Sequence, residues 1–109
     1  MITGDIVGDL LFSVGISPSL KCFQYIIYSV LLYEQDTTQP ITNIYVDVAS
    51  KYKATPTSVE RAMRSAFAKM DRKSEKVIDI FGEYASTNKE YVAIICWHLR
   101  EREGNKNEY

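Results

Sequence analysis

Apolar residues recur at spacings of three and four along almost the whole chain, and no stretch of useful length alternates apolar with polar. Backbone of that period buries its stripe as helices, so the predicted fold class is all-α, a compact bundle of about six helices. Ile2, Ile6, Val7, Leu10, Leu11 and Val14 place the first over residues 2–14, with Gly15 as its stop. Ser17 and Pro18 read as cap and first turn of a second, whose stripe of Leu20, Phe23, Ile26, Ile27, Val30 and Leu31 runs to about Tyr33. The polar run EQDTTQP interrupts the pattern, and Ile44, Val48, Ala49 and Tyr52 mark a short third helix ending near Lys53. Thr55 and Pro56 open a fourth. A fifth carries Val77, Ile78 and Phe81 before Gly82. Thr87 and Glu90 have the spacing of a capping box for the last, with Val92, Ile95, Cys96 and Leu99 inward. On that helix Ile94 and Trp97 lie opposite the inward set. Cover by another helix of the same domain is the expectation, and contact with a neighbouring copy the alternative.

With 109 residues the chain is large enough for one self-sufficient core, assigned to 1–103, followed by a flexible tail at 104–109. Several function classes drop out. The run CFQYIIYSVLLY is about half a membrane span and contains a glutamine, so no membrane segment is expected. Cys22 and Cys96 lie in apolar runs without paired spacing, and no secretory signal opens the chain, which favours a reduced, cytoplasmic setting. Cys96 and His98 have no second pair to complete a tetrahedral metal set, and the single histidine has no nucleophile or carboxylate partner. The glycines at 4, 8 and 15 build no phosphate loop. Neither enzyme, metal nor cofactor is predicted.

Charge is distributed more tellingly than its net of -1 suggests. Residues 45–72 hold Lys51, Lys53, Arg61, Arg64, Lys69 and Arg72 against Asp47, Glu60 and Asp71, a local +3 that leaves -4 for the flanks. The same window spells two short helices joined by a turn of about three residues, the layout of a helix-turn-helix over about 45–70. At about 100° per residue, Val59, Ala62, Met63, Ala66, Phe67 and Met70 share one side of the helix at about 56–70. Thr57, Glu60, Arg61, Arg64 and Ala68 share the other. An arginine fork can donate twice to a guanine edge, and a glutamate can accept from cytosine. Glu60, Arg61 and Arg64 are therefore the base-reading candidates. Lys51, Lys53, Lys69 and Arg72 flank them as phosphate contacts, and the first-turn amides behind the Thr55 cap are further anion donors. Glu60 and Arg64 equally make an ordinary i, i+4 ion pair on a solvated helix, and spacing does not separate the two readings.

The run VASKYKATPTSVERAMRSAFAKM, with SPSLKCFQYIIYSV before it and IFGEY and the last helix after it, resembles the C-terminal DNA-binding effector domain of the sporulation-initiation master response regulators, the stage 0 sporulation protein A family. The similarity covers roughly residues 2–102. Its most specific pieces are SVERAMR, the element at Lys21 to Tyr25 and that at Phe81 to Tyr84. The resemblance implies a six-helix domain whose fourth helix reads a TGTCGAA-like heptamer in double-stranded DNA, with tandem copies bound head to tail. It places Glu60, Arg61 and Arg64 at base-reading or groove positions, with Ser58, Thr57 and Ser65 nearby; Ser65 stands where the pattern has histidine. It further implies contact between a sigma subunit of RNA polymerase and the region from Arg72 to Tyr84, here Lys73, Glu75, Lys76 and Asp79, of which the first three depart from the pattern. The family joins this domain to a phosphorylated receiver not contained in this sequence, so an excised domain is expected, with a free-standing relative regulated by another route as the alternative. The rival expectation is a helical interaction module that has lost DNA contact and acts on the sigma subunit or on a full-length relative.

Overall fold

The computed structural model describes residues 1–83 and 85–107, the last four for their backbone alone. Six helices follow one another: α1 Gly4–Ser13, α2 Lys21–Gln35, α3 Ile41–Tyr52, α4 Pro56–Ala68, α5 Glu75–Phe81 and α6 Asn88–Asn107. No strand occurs among the described residues. The all-α expectation and the helix-turn-helix layout of α3 and α4 both hold.

Helix α2 is the hub, packed against α1, α3, α4 and α6. Its Ile26 and Val30 are fully buried, as are Ile44 and Val48 of α3, Val59 and Met63 of α4, and Val92 and Ile95 of α6. A Cβ at Gly8 would sit 3.3 Å from the Phe23 ring, so the missing side chain lets α1 lie close on α2. Buried Ser29 is satisfied within this core. Its hydroxyl donates to the Tyr25 carbonyl at 2.7 Å and lies 3.5 Å from Met63 Sδ.

The Thr87/Glu90 box is formed: Thr87 Oγ1 accepts from the Glu90 amide at 3.2 Å, and Glu90 Oε1 from the Thr87 amide at 3.1 Å. Several details depart from the sequence expectations; among them, Ile6 and Leu20 of the expected inward stripes are 39% and 50% exposed. Ser17 and Pro18 do not open α2. The Ser17 carbonyl accepts from Leu20 and its hydroxyl from the Ser19 amide, so the hydroxyl that would have capped a helix is spent on a turn and α2 starts at Lys21. Ile78 is 42% exposed, because the seven-residue α5 turns Val77, Ile80 and Phe81 inward. Trp97 is 64% exposed. Helix α6 packs on α2, α4 and α5, which bury its other flank, and only Ile94 of the outer pair reaches the core. Finally, α6 runs through Asn107, past the Gly104 at which a tail was expected. Glu108, Tyr109 and the Tyr84 of the FGEY element lie outside the described residues.

One shallow groove lies between α1, α5 and α6, lined by Asp9, Lys76, His98, Arg102 and Glu103 among others. Partial burial of His98, then the nearby Arg102 and Lys76 charges, hold its pKa below the ordinary value. Above about pH 6.5 folded and unfolded chains both carry a neutral imidazole. Below that, the unfolded chain takes up a proton that the folded one resists, so stability falls as pH falls until the lowered folded pKa is reached. His98→Gln should flatten this acid-side decline, measured as the change in Tm between pH 7.5 and 5.5. Phe67, 1% exposed, stacks on Tyr91 at 4.3 Å and 11° between ring planes. Phe67→Ala should lower unfolding free energy by about 3–5 kcal/mol in urea titrations, from lost burial plus the cavity left behind.

Candidate nucleic-acid interface

The turn between α3 and α4 is built by backbone geometry. Lys53 ends α3 in the left-handed conformation at φ 55°, and the Ala54 amide reaches back to the Ala49 carbonyl at 2.9 Å. This is a Schellman-type closure, here made with lysine in the place usually held by glycine. Ala49, 3% exposed, is small where the helices meet. Thr55 Oγ1 accepts from the Ser58 amide at 3.1 Å, and Ser58 Oγ accepts from the Thr55 amide at 3.2 Å, so the pair forms a capping box. Pro56 has no amide and that of Ser58 is taken, which narrows the first-turn amides available to an anion to that of Thr57. The expected supply of free amides is thus smaller than the cap alone implies.

On α4 the inward stripe is buried at Val59, Met63, Ala66 and Phe67, with Met70 buried just beyond; Ala62 is half-buried. The outer row is open to solvent. Thr57, Ser58, Arg61, Arg64, Ser65 and Ala68 are exposed and Glu60 is half-buried. Arg64 Nε lies 3.5 Å from Glu60 Oε1, so the i, i+4 ion pair forms; the arginine side chain is 64% exposed and keeps its remaining donors. At this exposure such a pair contributes about 0.3–0.5 kcal/mol and yields readily to a better partner.

The flanking cations are held in different ways. Lys51 Nζ sits 5.0 Å from the Tyr28 ring centre and 5.8 Å from that of Tyr52. The two rings confine the ammonium while leaving it exposed. Lys53 and Lys69 are exposed at the ends of α3 and α4. Arg72 is tied down more than expected, its Nη2 donating to the Tyr91 hydroxyl at 2.9 Å on the partly buried junction with α6. Following Arg72, Lys73, Glu75, Lys76 and Asp79 are exposed before and along α5, around Ile78.

Two residues absent from the sequence-derived set complete the surroundings. Asn88, the first residue of α6 and only 8% exposed, donates through Nδ2 to the Tyr45 hydroxyl at 3.0 Å and to the Glu60 backbone carbonyl at 3.1 Å. Burial raises the Tyr45 pKa, Glu60 adds to this, and the Asn88 bond and Arg64 oppose it. A polar residue next to a capping box carries no periodic signal, so only the fold reveals it. Among the described residues no group of three His, Cys, Asp or Glu could hold a metal ion, and no helix is long and apolar enough to cross a membrane. Cys22 and Cys96 are unbonded and buried, which pushes both thiols up from their ordinary pKa.

None of the curated proteins compared with the chain matches it. The family model described as "Sporulation initiation factor Spo0A C terminal" matches residues 7–99, which takes in all of α2 to α5 and most of α1 and α6. An exposed guanidinium and carboxylate row on the second helix of a helix-turn-helix, and that match over most of its length, place this chain in the Spo0A C-terminal family of non-enzymatic, DNA-binding sporulation transcription factors.

Proposed function

We propose that α4 enters the major groove and reads a TGTCGAA-like heptamer, with Arg61 and Arg64 donating to guanine edges and Glu60 accepting from cytosine. The single observation that carries this is the exposure of Arg61 and Arg64 on the side of α4 opposite its buried stripe. Among the described residues both arginines stay exposed, and the ion pair that Arg64 makes with half-buried Glu60 is weak. Lys51, Lys53, Lys69, and the donors Arg72 does not spend on Tyr91, bind phosphates and set the helix in register. Thr57, Ser58 and Ser65 add backbone or groove contacts from α4, with Thr55 holding the turn that presents them. A bacterial factor of this kind works in the cytoplasm.

Two further partners belong to the same reading. The exposed Lys73, Glu75, Lys76 and Asp79 around Ile78 offer a mixed charged and apolar surface to a sigma subunit of RNA polymerase. A second copy on an adjacent site is supported by the uncovered Trp97.

Fluorescence anisotropy with a labelled heptamer duplex and a scrambled one, at two salt concentrations, tests the main reading. Preference for the heptamer should survive the higher salt; equal binding of both would overturn it. Arg61→Ala should cost about 1–3 kcal/mol on the heptamer and relax selectivity at one base pair, and an unchanged ratio between the two duplexes would remove Arg61 from the reading set. Lys51→Ala or Lys69→Ala should instead weaken both duplexes alike and reduce the slope of log affinity against log salt by about one.

A further inference from the structure

The side chain of Asn88 is placed where it can govern how α4 is presented. It is a buried polar group at the start of α6, and its Nδ2 donates in two directions: to the Tyr45 hydroxyl on α3 and to the backbone carbonyl of Glu60 on α4. One amide therefore touches both halves of the helix-turn-helix from a third helix. Glu60 is the residue whose carboxylate faces outward beside Arg64, and its carbonyl is fixed from behind. The cleft around this junction is lined by Tyr45, Glu60, Arg64, Thr87, Asn88 and Lys89, among others, so the bond lies directly under the outward row.

Apolar packing alone does not settle the rotation of α4 about its own axis. The hydrophobic attraction that buries Val59, Met63 and Phe67 is non-directional, so it holds the roll of α4, and with it every outward side chain, less sharply than a hydrogen bond does. A hydrogen bond is directional, and losing one at a partly buried carbonyl leaves that acceptor without its donor at a cost. We propose that Asn88 is a positioning residue: with Tyr45 as its second anchor, it fixes the roll of α4, and so determines how sharply Glu60, Arg61 and Arg64 discriminate between bases. The proposal rests on the DNA reading for its consequence, though not for its structural content.

Asn88→Asp is the informative variant. The aspartate has nearly the same shape, suits the first turn of a helix, and can accept from the Tyr45 hydroxyl in place of the bond Asn88 donates to it, but as a carboxylate it cannot donate to the Glu60 carbonyl. Cys96→Ala, a core change elsewhere on α6, serves as a control for simple loss of stability. In the free protein at pH 8, amide hydrogen exchange at residues 61–64 should speed up about ten-fold in Asn88→Asp relative to amides of α2, and should not do so in the control. On DNA, the ratio of scrambled to heptamer Kd should fall about ten-fold in Asn88→Asp, with the salt slope unchanged because no phosphate contact is lost. Tyr45→Phe, which keeps the Glu60 bond, should lose less. Unaltered α4 exchange in Asn88→Asp overturns the proposal, as does a fall in discrimination that the control reproduces at equal loss of Tm. If the parent protein itself does not distinguish the two duplexes, the DNA reading fails and the exchange comparison alone decides whether Asn88 fixes α4.

Discussion

The burial of one side of α4 is the constraint on which the rest of this domain depends. Val59, Met63 and Phe67 are buried where α4 packs on α2, α3 and α6, and Phe67 is further clasped by the Tyr91 ring. A helix of thirteen residues is marginal in water without such packing. Once its underside is fixed, the opposite side has to face outward. The charged row thus owes its exposure to apolar contacts made on the other side of the helix.

That arrangement also explains how a chain of slightly negative total charge can carry a surface for a polyanion. The positive excess is confined to α3, α4 and their flanks, where Lys51 is held over two tyrosine rings and Lys53 is projected from a left-handed turn.

Much of this was legible in the residues. The helical period gave six elements, the Thr55-Pro56 pair placed the start of α4, and the Thr87/Glu90 spacing placed that of α6. Each of these is a local signal, set by side chains within a turn of one another. What escaped was non-local. Whether Trp97 is covered depends on which helices flank α6, and whether Arg72 is free depends on where Tyr91 arrives from nineteen residues away. Asn88 meets Tyr45 and Glu60 across 43 and 28 residues, pairings that no spacing rule anticipates. Ser17 erred in the other direction. A good capping residue formed a turn instead, because its hydroxyl found a nearer amide.

The uncovered indole of α6 has a spectroscopic consequence. As the only tryptophan in the chain, Trp97 dominates the near-ultraviolet emission, and in the folded domain it already sits in a watery environment. Unfolding will therefore shift its colour little, and any blue shift on mixing will report that something apolar has settled on that flank of α6. The molecule thus carries its own optical probe for companions.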